Sequence, residues 1–428
     1  MSSTKQNYRV PFIMMVVLFF LFGFLTVLNG QLQSPIKDVF QLTNFQTSLL
    51  TFSFFAAFVL TGPIASKLID KNGNKKTLVM ALIVVAIALS VFLTAAYANS
   101  FAIFVSGAFI LGAGITMLQV VANPYLAALG TPETAGTRIN LAGAFNSLAG
   151  TLAPIFAANV IFGGAKPVVD DVKLPYIGLT IFALILALVF YLLKLPDISN
   201  SNSEEVSAEP QKLEGNAWQF SHLTLGVIAI FAYVGAEVAI GNNIKTYLDS
   251  FIDPNETDEV KKIFSSASGL VASLYWGSIM IGRFIGSFVF KNADSRKGLI
   301  LVSSLAMILT LIGTFYPGTV ALQEVDLGFT QFTIVGNAGV YALFLVGLFH
   351  SVMWGYIFGL AIDKLGPYTN QASGYLIMGI FGGAIVPTIQ SIYADSTNNW
   401  QITFILVALC QAYLLYYALI GSKIKKHA

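Results

Sequence analysis

Runs of about twenty mainly apolar residues recur through the whole chain, and a bilayer-spanning helix needs that length. Six such runs lie near 10–32, 46–66, 77–97, 101–128, 139–163 and 174–194. Six more follow near 222–248, 265–290, 298–316, 338–362, 371–393 and 400–421. Between the sets, 196–221 is polar and contains Ser-Asn-Ser-Glu-Glu, which reads as a solvated cytoplasmic linker. The expectation is an all-α membrane protein of twelve transmembrane helices, hereafter segments 1 to 12. They divide into an N-terminal six-helix bundle at 1–195 and a C-terminal one at 222–428, related by pseudo-symmetry. Hydrophobic residues make up 56% and charged residues only 10%, too few charges to clothe a soluble core of this size. A net charge of +2 gives no sign of a nucleic-acid partner. The single Cys410 excludes a disulfide framework and a cysteine-cluster metal site, and no other metal-ligand cluster is legible. No small-residue cleavage site follows the first run, so it reads as a retained helix.

Lys and Arg in the short loops set the orientation. Arg9, Lys67, Lys71, Lys75, Lys76, Arg138, Arg296, Lys297, Lys364 and Lys423 fall on one side. On the other, Lys37, Lys166, Lys173, Lys261 and Lys262 are diluted by Asp253, Glu256, Asp258 and Glu259. Both termini are therefore expected in the cytoplasm. Internal repeats support two halves. Segments 4 and 10 run from Gly112 and Gly347 to a closing Leu-Gly at Gly130 and Gly366. Segments 5 and 11 share Gly-x-x-x-Pro, at Gly150–Pro154 and Gly383–Pro387.

Polar side chains inside a membrane are costly, so their placement is informative. Segments 3, 6 and 9 hold no amide or charge within their cores, and segment 12 has only Gln411. Segment 1 carries Asn29, Gln31 and Gln33; segment 4 carries Gln119 and Asn123; segment 5 carries Asn140 and Asn146. Segment 7 carries Glu237, Asn242, Asn243 and Lys245, and segment 10 carries His350 beside Trp354. This pattern sets segments 1, 4, 7 and 10 around a wet cavity and segments 3, 6, 9 and 12 against lipid. Thr26, Asn29 and Gln33 share one helix face, as do Thr116, Gln119 and Asn123. The plainer account is that such amides join helices as packing contacts.

Amides both donate and accept hydrogen bonds, and indoles offer flat apolar faces. That mixture suits a monosaccharide, whose rim carries hydroxyls and whose ring carries C–H faces. The expected sugar contacts are Asn29, Gln119, Asn123, Asn146, Asn242, Asn243, Trp276 and Trp354. Trp218 and Trp400, at segment starts, read as interface anchors. Glu237 has no cation at i±3 or i±4 on its own helix. It must be protonated, pair across helices or hold a cation, any of which can couple cation movement to transport. Its plainer reading is a structural ion pair, Lys245 being one candidate. His350 is a second titratable candidate, or a packing residue.

The loop after segment 2 reads Gly62-Pro-Ile-Ala-Ser-Lys-Leu-Ile-Asp70-Lys71-Asn-Gly73-Asn-Lys75-Lys76. It resembles the loop signature of the major facilitator superfamily, with a counterpart at Gly282-Arg283-Phe-Ile-Gly286. On this resemblance Asp70 and Arg283 are the expected gating residues. Within that superfamily the chain is similar to the fucose–galactose–glucose:proton symporter family. The matching stretches are Phe-Leu-Phe-Gly-Phe-Leu-Thr-Val-Leu-Asn29, Leu-Gln119-Val-Val-Ala-Asn123-Pro124-Tyr125 and Tyr233-Val-Gly-Ala-Glu237. The resemblance implies the major facilitator fold and alternating-access uptake of a hexose or related sugar. It implies a bacterial inner-membrane, multi-pass, monomeric protein that uses no cofactor beyond a co-transported H+ or Na+. The family pattern has Asn-Asp in segment 1, where this chain has Asn29-Gly30, and fucose permeases have Glu where Gln119 stands. Uncoupled facilitation and a transport-inactive sugar sensor are the alternatives. No catalytic constellation is present, so an enzyme is not expected.

Overall fold

The computed structural model describes residues 8–31, 36, 40–42, 44–130, 134–156, 160–161, 173–193, 215–253, 255–289, 294–326 and 331–424. Gln33, most of the linker (194–214), Lys37, Lys166 and Lys291 lie outside the described residues. Among the described residues, ten helices are long and apolar enough to cross a membrane. Segment 1 is Arg9–Gln31. Segments 2 and 3 form one helical stretch, Asn44–Ala98, bent at Gly73, where φ of 78° and ψ of 167° leave the helical region. A residue with positive φ is cheapest as glycine, so the loop glycine is what lets two spans meet without unwinding. Segment 4 is Phe101–Ala128 and segment 5 is Ala135–Phe156, its expected end lying outside the described residues. Segment 6 is Lys173–Leu192, segment 7 Ser221–Asp249, segment 8 Asp258–Val289, segment 9 Ser295–Phe315 and segment 10 Ala338–Ile362. Counted so, the helices are consistent with twelve spans.

Segment 11 is broken. Helix Thr369–Met378 gives way to a single tight turn, Gly379–Phe381, and resumes over Gly382–Thr397. A Cβ on Gly382 would stand 2.0 Å from the Phe231 carbonyl oxygen, so segments 7 and 11 touch backbone to backbone there. Segment 12 comprises Trp400–Thr403 and Ile405–Tyr416, ending in a π-helical turn at Tyr417–Gly421.

The chain packs as two compact units. One comprises Met1–Val227 with Ala361–Met378, the other Ile228–Leu360 with Gly379–Ala428. In the first unit the opening helix of segment 11 seats on segments 2 and 4. The Ser373 hydroxyl donates to the Val120 carbonyl at 2.9 Å, and Ala372, Ser373, Gly374, Leu376 and Ile377 are buried.

The burial pattern follows the polar pattern. Every residue from Gly114 to Leu126 of segment 4 is buried. Segment 6 instead turns Ile181, Phe182, Leu184, Ile185 and Leu188 outward, as a lipid-facing helix does. The paired glycines of the internal repeat hold equivalent positions. A Cβ on Gly112 would meet the Phe54 carbonyl oxygen of segment 2 at 2.3 Å. One on Gly347 would meet the Tyr275 carbonyl oxygen of segment 8 at 2.7 Å. Small residues permit such close helix approach in membranes.

A β-hairpin not anticipated from the sequence joins segments 9 and 10. Strands β1 (Ala321–Asp326) and β2 (Gln331–Gly336) are antiparallel, with Ala321 opposite Gly336 and Asp326 opposite Gln331. β2 packs against segment 8, and the Tyr341 hydroxyl donates to Gln323 Oε1 at 2.5 Å.

Candidate functional site

The eight expected sugar contacts separate by whether their hydrogen-bonding groups are already engaged. In the first unit, segments 1 and 4 pack together. Asn29 and Gln119 are 5% and 8% exposed, and neither side chain has a hydrogen-bond partner among the described residues. Their amide groups therefore stay open to a further polar partner as far as the described residues go. Asn123 and Asn146 differ. Asn123 Nδ2 donates to the Gln119 carbonyl of its own helix at 2.8 Å. Asn146 Nδ2 donates to the Phe19 carbonyl of segment 1 at 2.9 Å, tying segment 5 to segment 1.

In the second unit, Asn243 is engaged and Asn242 is exposed. Asn243 Nδ2 donates to Gln390 Oε1 at 2.8 Å, and Gln390 Nε2 donates to the Thr403 hydroxyl at 3.1 Å. This chain links segments 7, 11 and 12. Trp276 is 39% exposed and lies over Gly241, where a Cβ would clash with the indole at 2.2 Å. Trp354 is half-buried and its ring centre lies 6.4 Å from that of Tyr233.

Glu237 pairs across helices. Its carboxylate stands 3.6 Å from Arg283 Nη2 of segment 8, inside ion-pair range but beyond hydrogen-bond length. Both side chains are 12% exposed. Arg283 Nε also donates to the Ser351 carbonyl of segment 10 at 3.1 Å. Tyr233, one turn before Glu237, interacts electrostatically with both members of the pair. Lys245 is engaged elsewhere, by Asp249 and by Ser265 Oγ at 2.8 Å. Arg283, expected at a gate from its place in the loop counterpart, thus supplies the partner that Glu237 lacks on its own helix.

His350 is fully buried in the same unit. Its Nδ1 lies 3.0 Å from the Tyr275 hydroxyl, and its Nε2 lies 3.1 Å from Gln411 Nε2. The Tyr275 hydroxyl in turn lies 3.0 Å from the Glu237 carbonyl oxygen. Tyr275 and Gln411 escaped the sequence reading as site residues. Gln411 carried a signal, being the one amide in the core of segment 12.

Asp70 lies in the first unit, where its carboxylate accepts a hydrogen bond from Asn370 at 2.9 Å. Trp218, expected as an interface anchor, stacks on Tyr375 with ring centres 4.4 Å apart, and Gln371 Oε1 accepts from the Ala217 backbone N–H at 3.1 Å.

The Major Facilitator Superfamily sequence model matches residues 14–387. The chain belongs to that superfamily. A glucose/galactose transporter of Brucella abortus is 38% identical, over 99% of this chain and 96% of its own length. An L-fucose-proton symporter of Escherichia coli is 27% identical over 99% of this chain and 95% of its own. The crystal structure of the superfamily transporter FucP in the outward conformation superposes with a TM-score of 0.81. That match has 26% identity and covers 97% of this chain and 99% of that one. The narrower resemblance to glucose/galactose and fucose–proton transporters therefore holds along the whole chain. The protein is a membrane transporter and not an enzyme.

Proposed function

We propose that the protein takes up a hexose or related monosaccharide across the bacterial cytoplasmic membrane by alternating access. It works as a monomer with both termini in the cytoplasm, and a cation, H+ or Na+, is coupled at Glu237. The observation that carries the substrate class is the pair of buried amides Asn29 and Gln119, whose side chains have no hydrogen-bond partner among the described residues. Neutral donors and acceptors match sugar hydroxyls and give no charge to hold an ionic solute. The glucose/galactose and fucose names of the similar proteins support the same class.

For coupling, Glu237 is a buried carboxylate facing a cation, Arg283, at 3.6 Å. Protonating it removes the counter-charge of Arg283, which is a change of charge at one point in the membrane interior. Gly30, standing where the family pattern has Asp, favours uncoupled facilitation as the second reading.

Purified protein in proteoliposomes separates them. An inward proton or sodium gradient should drive accumulation of labelled glucose or galactose. Glu237→Gln should keep counterflow exchange and lose accumulation. If neither gradient drives accumulation, the coupling is wrong; if Glu237→Gln still accumulates sugar, the residue assignment is wrong.

A further inference from the structure

We propose that His350 is a positioning residue: a neutral imidazole, its hydrogen on Nδ1, that fixes the segment 7 backbone at Glu237 through Tyr275. The inference rests on the transport reading for its functional meaning. Its structural core stands on hydrogen-bond counting alone.

Three contacts form one line through the second unit: Gln411 Nε2 to His350 Nε2, His350 Nδ1 to Tyr275 Oη, and Tyr275 Oη to the Glu237 carbonyl. A tyrosine has one hydrogen to donate and a carbonyl only accepts, so the Tyr275 hydrogen belongs on the Glu237 oxygen. The contact between Tyr275 and Nδ1 must then be made by a hydrogen on Nδ1. The Gln411 amide nitrogen also only donates, so Nε2 must be bare. All three contacts are then made with a neutral imidazole, while Gln411 Oε1 stays buried without a partner among the described residues. With the hydrogen on Nε2 instead, Gln411 could meet it only with its amide turned over, and the one Tyr275 hydrogen would have to leave the Glu237 carbonyl for Nδ1.

The one other arrangement that makes all three contacts is an imidazolium with the Gln411 amide turned over. That places a cation on a residue with no exposed surface. The groups around the ring argue against it. Tyr233 of segment 7 meets the ring edge-on at 6.1 Å, Tyr275 comes from segment 8 and Gln411 from segment 12. Glu237 and Arg283 already face each other. Among the described residues no acid touches the imidazole.

The consequence divides labour between the two coupling candidates read from the sequence. Glu237 faces a cation and can change charge. His350 holds still and sets where the Glu237 backbone lies, and so how the carboxylate meets Arg283.

Nitrogen-15 spectra of the imidazoles in detergent test the tautomer without reference to transport. The chain has three histidines, His222, His350 and His427, and His350→Asn assigns the signal by its disappearance. The expected result is the Nδ1–H neutral pattern, unchanged from about pH 8 to pH 5. An Nε2–H pattern, or conversion to the imidazolium in that interval, overturns the proposal. Transport variants test the role. Asn places amide hydrogens where Nδ1–H stood, so His350→Asn should keep accumulation within about threefold of wild type with an unaltered pH profile. His350→Gln places its amide at the other ring nitrogen and should lose about tenfold, with counterflow less affected. If His350→Asn keeps counterflow but flattens the pH profile, His350 is itself the titrating group and the proposal fails. If the wild type exchanges no hexose at all, the sugar reading falls while the spectra still decide the tautomer.

Discussion

Asn370 Nδ2 donates to Asp70 Oδ1 at 2.9 Å, joining two residues 300 positions apart in the chain. Both side chains are at the protein surface, where such a bond contributes about 1 kcal/mol or less. The closer engagement lies one turn on. A Cβ on Gly374 would stand 2.6 Å from the Gly62 carbonyl oxygen, and one on Gly62 would stand 2.4 Å from that of Gly374. Asp70→Asn should therefore change transport rates by less than about fivefold. Gly374→Val should lift the start of segment 11 from segment 2. A cysteine at Ser373, buried in the native protein, should then react with a maleimide at a much higher rate in the Gly374→Val background, with Cys410 replaced by serine. Equal labelling in both backgrounds would show that the glycine contact does not hold this helix down.

The amides should divide by phenotype as they divide by engagement. Gln119→Ala and Asn29→Ala remove groups that bond to nothing among the described residues, so thermal stability should hold. Loss of one or two hydrogen bonds to sugar should raise KM for hexose about tenfold. Asn243→Ala deprives Gln390 Oε1 of its donor, so it should lower Tm and leave KM near the wild-type value. Counterflow kinetics beside melting curves in detergent check both. A lowered Tm for Gln119→Ala with unchanged KM would reassign that amide to packing.

The Glu237–Arg283 pair yields a prediction about charge. Removing one partner from a buried pair leaves the other uncompensated, a loss of about 3–5 kcal/mol. Arg283→Ala should accordingly melt far below wild type. The double variant Glu237→Gln with Arg283→Gln should recover much of that loss, since no net charge then remains. A double variant no more stable than Arg283→Ala would mean that the two charges do not act as a pair.

How far the sequence carried this reading depends on the range of the contact. Apolar runs and the repeat around Gly112 and Gly347 are local or repeated signals, and both have counterparts in the structure. The partner of Glu237 was not legible. Arg283 lies 46 positions away on another helix, and helical periodicity relates only residues of one helix. The hairpin escaped because each strand has only six residues between far longer apolar runs. The clustering of amides was visible, but which of them were already engaged was not. Asn123 and Gln119 share a helix face, yet one bonds its own backbone and the other does not.

Gly30 offers a direct test of where coupling resides. It stands where the related family has Asp, it is exposed, and a Cβ added there meets nothing within 4 Å among the described residues. Gly30→Asp should therefore fold, and an alanine in a helix is in any case favoured over glycine by about 1 kcal/mol, so Gly30→Ala serves as the steric control. A carboxylate's ordinary value is near 4, and the new one sits beside Asn29 in the chain. A carboxylate whose charge must be removed before the helix can reorient makes uptake faster in acid. Gly30→Asp should thus add an acid-stimulated limb to the uptake rate that Gly30→Ala lacks, read as initial rates against pH. In a Glu237→Gln background the two readings part company. If Glu237 alone couples cation movement, Gly30→Asp restores pH sensitivity without restoring accumulation. If accumulation returns as well, position 30 is sufficient for coupling, and Glu237 is one of two interchangeable places in the fold where a membrane carboxylate can do that work.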